Sequence, residues 1–376
     1  MKKLSQAEIC KKNIFLRVDL NVPMSSGKIR DESKITSVLP TIKHLLRNNN
    51  RIIICSHLGR PKGSYSKDLS LAPIASRLSK FLENIEIKMI DFPFDNFTKE
   101  RLKSSNIYML ENIRFDKREE LNSEDLSNEL SKFSDIYIND AFASSHRKHA
   151  STYGITKFLP SYAGFLVEKE INSLNELFSS KYSKKLAIVG GAKVSDKIKL
   201  ISNLSKKLDF VIIGGGMISA FVQKNHPEYG YAKEIVINSK AKIIIPDYVL
   251  VGNEFNENTK YKIINTTDIK DNLNIKILDI AERSFEKISD YISTSDLIIW
   301  NGPVGVFEWA NFSLGTLKLI ELLKNTKAKT FIGGGSTAEI IHKTSTQNYF
   351  THISTGGGAT LEFLEGKELP GIRALS

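Results

Sequence analysis

Cysteine is scarce in this chain: two in 376 residues, Cys10 and Cys55, too few for a disulfide framework. Cys55 closes the run Arg51-Ile-Ile-Ile-Cys55 and reads as a small buried filler rather than a nucleophile. Long apolar runs are missing as well. The longest are strand-length, so no segment is expected to span a membrane. The opening Met1-Lys2-Lys3 is followed by Glu8, Lys11 and Lys12, which interrupt any signal-peptide core, and the expected location is the cytoplasm. No Gly-x-Gly-x-x-Gly fingerprint is present, which argues against a dinucleotide oxidoreductase. The usual P-loop spacing, His-Glu-x-x-His, paired Cys-x-x-Cys and Gly-x-Ser-x-Gly are also lacking. A formal net charge of +11 raises a polyanionic partner. The lysines are scattered rather than gathered in a block, however, and no basic arm, zinc finger or RNA-binding aromatic motif accompanies them. Neither nucleic acid nor a membrane is an expected partner. His146 and His149 flank Arg147 and Lys148, and two cations beside them disfavour a metal ion there.

What is present fits a globular protein, with 41% apolar and 25% charged residues. The length suits two domains, each with its own core. Short β-branched runs alternate with amphipathic stretches. Strands are expected at Ile14–Asp19, Arg51–Ser56, Ile107–Leu110 and Asp135–Asn139 in the first half. In the second half they are expected at Lys185–Val189, Phe210–Ile213, Lys242–Ile245, Leu297–Trp300, Thr330–Ile332 and Thr351–Ser354. Helical patterns such as Ile198, Ile201, Leu204 and Leu208 lie between them. The alternation predicts an α/β fold of doubly wound parallel sheets, in two similar units. One amphipathic helix, Phe165 to Phe178, carries Val167, Ile171, Leu174 and Phe178 on a stripe and reads as the connector.

Doubly wound sheets bind ligands beyond the carboxyl ends of their strands, so the residues after each strand carry the chemistry. In the second half these are glycines: Gly190-Gly191, Gly214-Gly215-Gly216, Asn301-Gly302-Pro303-Val304-Gly305, Gly333-Gly334-Gly335 and Gly356-Gly357-Gly358. Glycine lets backbone approach an anion closely, and a helix N-terminus adds free amide donors. The turn after Leu186-Ala-Ile-Val189 also carries Lys193 and Lys197, expected on one face of the following helix. In the first half the strand ends are polar and cationic: Asp19 and Asn21, His57 and Arg60, Arg114, then His146 and Arg147. Guanidinium forks suit a small molecule bearing phosphate and carboxylate. A nucleotide on one half and such a molecule on the other would suit phosphoryl transfer, where positioning and charge neutralisation supply most of the catalysis.

Eight segments in fixed order then carry a resemblance. They are Arg17-Val-Asp-Leu-Asn-Val-Pro23, Ser56-His-Leu-Gly-Arg-Pro61, Leu110-Glu-Asn-Ile-Arg114 and Asn139-Asp-Ala-Phe142 with His146-Arg147. They continue with Gly190-Gly-Ala-Lys-Val-Ser-Asp-Lys197, Gly214-Gly-Gly-Met217, Trp300-Asn-Gly-Pro-Val-Gly-Val-Phe-Glu308 and Ser354-Thr-Gly-Gly-Gly-Ala359. Over nearly its full length the chain resembles phosphoglycerate kinase. The resemblance implies two Rossmann-like domains joined by a hinge helix: a phosphoglycerate-binding domain at 1–164, the hinge at 165–180, a nucleotide-binding domain at 181–360, and a tail at 361–376 that returns to the first domain. It implies reversible phosphoryl transfer between 1,3-bisphosphoglycerate and ADP, giving 3-phosphoglycerate and ATP with Mg2+, by a monomer that closes about its hinge. The implied substrate residues are Asp19, Leu20, Asn21, Lys34, His57, Leu58, Gly59, Arg60, Arg114 and Arg147. Lys197, Gly214, Gly215, Asn301, Glu308, Gly334, Gly335, Ser336 and Thr337 would meet the nucleotide. Lys34, Lys193, Lys197 and Gly357 would act on the moving phosphoryl group.

Two departures fall on this chemistry. Lys34 stands where the family normally has arginine, which keeps the charge and loses the planar fork. Ser336 stands where an aspartate is expected to hold magnesium, and a hydroxyl is a poor substitute for a carboxylate. Serine would suit the N-cap of the following helix, and Asp196 is the carboxylate placed to take over the metal through water. No metal ligand is assigned. The stretch from Met217 to Ile245 also looks short beside its counterpart, and Ile280-Ala281-Glu282 replaces the expected Ile-Gly-Pro; both bear on nucleotide preference. Lys34 and Ser336 together raise an alternative, a kinase-fold protein that binds phosphoglycerate and nucleotide with weakened or absent turnover.

Overall fold

In the computed structural model, residues 1–25, 27–94, 102, 105–271 and 274–376 are described. They form two units. The first comprises Met1–Asn172 with Glu368–Ser376, the second Ser173–Lys367.

The first unit is built on six strands: β1 (Asn13–Val18), β2 (Arg51–Cys55), β3 (Ile87–Ile90), β4 (Ile107–Leu110), β5 (Ile136–Asp140) and β6 (Ser161–Ala163). They lie in the order β3-β4-β2-β1-β5-β6, with every neighbouring pair parallel. β1, β2 and β4 are apolar along nearly their whole length because helices cover both faces of such a sheet. The helix Ser33–Arg47 between β1 and β2 shows why. Its buried Ile35, Val38, Ile42 and Leu45 form a stripe against the core. Burying each stabilises by about 1.5–3 kcal/mol. Together they outweigh Pro40 in the helix interior, which costs about 3 kcal/mol.

The second unit holds a six-stranded parallel sheet and a three-stranded antiparallel one. The strands, in chain order, are β7 (Lys185–Val189), β8 (Phe210–Ile213), β9 (Lys242–Ile244), β10 (Tyr248–Gly252), β11 (Tyr261–Asn265), β12 (Lys276–Ile280), β13 (Leu297–Asn301), β14 (Lys329–Gly333) and β15 (His352–Ile353). The large sheet runs β9-β8-β7-β13-β14-β15 and the small one β11-β10-β12. Strand order reverses between β7 and β13, so those two strands flank the topological switch point.

Of the strands in these three sheets, β3, β6, β10, β11 and β12 lie outside the sequence expectation. Most of β11 is exposed, and its antiparallel pairing with β10 needs no apolar run to mark it. The expected connector helix runs Phe165–Glu176, two residues shorter than its pattern. Its first amides are capped from the first unit. Asp140 Oδ1 accepts from Leu166 N at 2.8 Å and Val167 N at 3.2 Å, and Thr41 Oγ1 accepts from Phe165 N at 3.1 Å. Burial pushes the Asp140 carboxyl up to about 7. The division between the units falls inside this helix.

Candidate functional sites

In the first unit the chain reaches its candidate residues at the carboxyl ends of four neighbouring strands. Asp19, Leu20 and Asn21 follow β1; His57 to Arg60 follow β2; Arg114 follows β4; Arg147 follows β5. Neighbouring parallel strands all end on one edge, which is why residues far apart in sequence share it. The loops are stitched to one another. Asn21 Oδ1 accepts from Gly59 N at 2.9 Å, Ser56 Oγ accepts from Leu20 N at 2.9 Å, and Asn112 Nδ2 donates to Leu58 O at 2.7 Å. Arg114 Nη1 donates to Gly59 O at 2.9 Å. Lys34, in the first turn of its helix, pairs with Asp19 Oδ2 at 2.8 Å.

Cations dominate the electrostatics of this edge. Burial alone would raise the Asp19 carboxyl, but Lys34 holds it below the usual range. Burial, with Arg17, Arg114 and Lys34 nearby, drives His57 well down, so the ring is neutral near pH 7. Burial and Arg17 lower Arg114. His149 is pushed down to about 3 by burial and by Arg114, Arg17 and Arg147. Arg60 and Arg147 are exposed. Among the described residues Arg60 makes no hydrogen bond or ion pair, and Arg147 Nε donates to His146 Nε2 at 3.1 Å.

A buried network behind this edge escaped the sequence reading. Arg17, fully buried in β1, donates from Nε to Ser151 Oγ at 2.8 Å. Ser151 Oγ donates to Glu119 Oε1 at 2.6 Å, and Ser151 N to Glu119 Oε2 at 2.9 Å. The only sequence signal was a lone arginine within the apolar run of β1.

In the second unit the glycine turns meet at the switch point, with the crowding that glycine alone permits. A Cβ on Gly190 would lie 2.0 Å from Pro303 O, and one on Gly302 would lie 2.3 Å from Gly190 O. Gly215, at φ +72, donates its N–H to Val304 O at 2.9 Å. Asn301 is buried at the end of β13, and its Oδ1 accepts from Lys197 Nζ at 2.6 Å. Among the described residues its Nδ2 has no partner, which leaves a donor at this point. Thr337 Oγ1 accepts from Gly302 N at 2.7 Å. Gly334 and Gly357 take positive φ and cap the helices Gly335–Lys343 and Gly358–Leu364. Glu308 is exposed.

Two expectations are corrected here. Lys193 and Lys197 do not share a helix face, because the helix begins at Ile198, with Lys197 as its N-cap. The turn before it is anchored instead by Glu228, whose carboxylate accepts from Val194 N at 2.8 Å and Ser195 N at 3.3 Å. Residues 194–197 form a separate turn, closed by Lys197 N donating to Val194 O at 2.8 Å, and the helix starts only after it. Lys193 remains exposed, and Lys197 is lowered by burial. Glu228 lies in the stretch that looked short, where no motif pointed to it. Ser336 is not the N-cap either. Gly334 holds that place at φ 91, and Ser336 sits exposed in the first turn.

Among the described residues no three His, Cys, Asp or Glu side chains converge to hold a metal ion. A divalent cation here would depend on phosphate oxygens brought by a ligand.

A family profile described as phosphoglycerate kinase matches residues 4–367. The chain is 40% identical over 393 aligned residues to the phosphoglycerate kinase of Clostridium novyi, covering all of this chain and 98% of that protein. It is 41% identical to that of Finegoldia magna over 99% of this chain and 98% of that protein. Among solved structures, phosphoglycerate kinase from Coxiella burnetii superposes with a TM-score of 0.87 at 33% identity, covering 99% of this chain and 98% of that one. The enzyme from Pyrococcus horikoshii OT3 superposes with a TM-score of 0.83 at 32% identity, covering 100% and 98%.

Proposed function

Because this chain belongs to the phosphoglycerate kinase family, we propose that it transfers a phosphoryl group reversibly between 1,3-bisphosphoglycerate and ADP, giving 3-phosphoglycerate and ATP, as in glycolysis. The observation that carries the reading is the pairing of two kinds of anion site. One has cationic side chains at the sheet edge of the first unit, and the other has bare backbone and lysine at the switch point of the second.

In this reading Arg60, Arg114, Arg147, His57 and Asn21 hold 3-phosphoglycerate, with Asp19, Leu20, Leu58 and Gly59 shaping the loops and Lys34 facing the reacting carboxylate. Gly214 and Gly215 line the base, Glu308 meets the ribose, and Gly334, Gly335, Ser336 and Thr337 form the phosphate-side turn. Lys193, Lys197, the spare donor of Asn301 and the amides after Gly357 neutralise the phosphates.

In the ATP-forming direction the oxygen of the ADP β-phosphate attacks the acyl phosphate, and the bond to the carboxyl oxygen breaks. In reverse the 3-phosphoglycerate carboxylate attacks the γ-phosphorus, the bond to the β–γ bridging oxygen breaks, and ADP leaves. The acceptor is therefore a carboxyl group. Neither nucleophile carries a proton near neutral pH, so the residues need only position the reactants and offset charge. A neutral His57 and permanently charged arginines fit that demand. Magnesium would be held chiefly by the nucleotide's own phosphate oxygens and would supply charge neutralisation there. Operation as a monomer in the cytoplasm, with domains 1–164 and 181–360 closing about residues 165–180 and the tail at 361–376 returning to the first domain, completes the proposal.

The test is ATP-dependent phosphorylation of 3-phosphoglycerate across a magnesium titration, on wild type beside Lys34→Arg, Ser336→Asp, their double variant and Asp196→Ala. Wild-type turnover is expected, and it would mean that lysine and serine suffice in this frame. Turnover seen only in the double variant would establish the alternative, a binder that has lost its chemistry. Unaltered magnesium dependence in Asp196→Ala would remove that carboxylate from any role at the metal.

A further inference from the structure

The buried arginine of β1 reaches the first unit's anion site through one ring. Arg17 Nη2 lies 3.3 Å from His57 Nδ1, with both groups buried. A guanidinium has five donors and no acceptor. The contact is therefore a hydrogen bond only if Nδ1 is bare. A neutral imidazole with a bare Nδ1 carries its proton on Nε2. The doubly protonated ring would set N–H against N–H and cation beside cation in a dry site, which costs far more there than in water.

The guanidinium is not free to turn away. Its Nε is held by Ser151 Oγ, which is bonded in turn to the buried Glu119, and its Nη1 donates to the Val18 carbonyl. The carboxylate that would otherwise draw a proton onto the ring is already engaged. Asp19 Oδ2 takes Lys34 Nζ at 2.8 Å, and Oδ1 takes Asn21 N at 3.0 Å. Asp19, Lys34, Arg17 and Arg114 are the charged groups that act on His57. Among the described residues His57 Nε2 has no protein hydrogen-bond partner.

We propose that Arg17 is a positioning residue that locks His57 as the neutral Nε2–H tautomer, so that the ring presents one donor and no acceptor to the ligand. Such a ring accepts an anionic oxygen and discriminates against a ligand that places an N–H or ammonium at the same point. The identity of that ligand rests on the phosphoglycerate reading; the tautomer does not.

Long-range 15N–1H correlation of the histidine rings, with His57 assigned by its loss in His57→Gln, reads the tautomer directly. The expected spectrum shows protonated Nε2 and bare Nδ1, unchanged from about pH 6 to about pH 8, across the range in which an ordinary histidine titrates. Added 3-phosphoglycerate should shift the Nε2 signal. A proton on Nδ1, or a cationic ring near neutral pH, overturns the proposal. Arg17→Lys keeps the charge and loses the fork; it should mix the tautomers and raise KM for 3-phosphoglycerate about tenfold, the loss of one charged hydrogen bond, with KM for ATP unchanged. A pure Nε2–H ring in that variant would remove Arg17 from the role. If Arg17→Lys does not fold, Ser151→Ala frees the guanidinium more gently, and the same spectrum decides. An inactive but correctly tautomeric wild type would count against the kinase reading alone.

Discussion

The sheet edge of the first unit presents long side chains: Arg60, Arg114, Arg147 and the His57 ring. The switch point of the second unit presents Gly190, Gly214, Gly302 and Gly334, bare backbone beside Lys197. Long side chains carry rotamer entropy, so aiming them takes support: the Arg17–Ser151–Glu119 network, the Asp19–Lys34 pair and the stitched loops. Bare backbone needs no aiming, but it needs strands packed so closely that a methyl group has no room. Substituting one of those exposed cationic side chains should therefore cost affinity and spare the fold. Substituting one of those crowded glycines should cost the fold itself.

The largest expected effect is at Gly190. In Gly190→Ala the new carbon meets the Pro303 carbonyl at 2.0 Å, and neither backbone can yield. The second unit should lose about 3 kcal/mol, the upper end of the overpacking range, measured by denaturant unfolding, while 3-phosphoglycerate binding to the first unit survives. A loss below about 1 kcal/mol would break the comparison. Next comes Arg147→Ala, which should weaken 3-phosphoglycerate binding by about 10- to 100-fold, the value of a charged hydrogen bond or two. Unfolding and nucleotide affinity should stay near wild type in calorimetric titrations. Equal losses of both ligands would mean that the two sites are not divided between the units. The smallest is Glu228→Gln. The amide still accepts from one of the two N–H groups, so kcat should fall only about three- to tenfold, with KM for 3-phosphoglycerate unchanged. An unaltered kcat would show that the glycines aim the lysine turn unaided, which would sharpen the contrast between the units.

The legible and illegible parts of the molecule divide along the same line. The glycine turns could be read because positive φ and close backbone approach demand glycine at those points, as Gly215, Gly302, Gly334 and Gly357 show. The cationic loops could be read because parallel strands present their carboxyl ends on one edge. The start of the helix after Lys197 could not. Helical spacing placed Lys193 inside it, but residues 194–197 form a turn held by a carboxylate from residue 228, a contact no local pattern reveals. Ser336 was misplaced for a similar reason: both serine and glycine can cap, and only the backbone at Gly334 decides between them.

The order of residues was enough to settle the α/β class, the segments that become most strands, and the residue types gathered at each candidate site. Those depend on hydrophobic period, turn chemistry and side-chain type, all local properties. Strand order, the antiparallel β10–β12 sheet, the grip of Glu228 on the lysine turn and the burial of Arg17 against His57 were decided by tertiary structure. Each of these is a contact between segments distant in the chain. Its strength comes from desolvation that no segment undergoes until the others have packed around it.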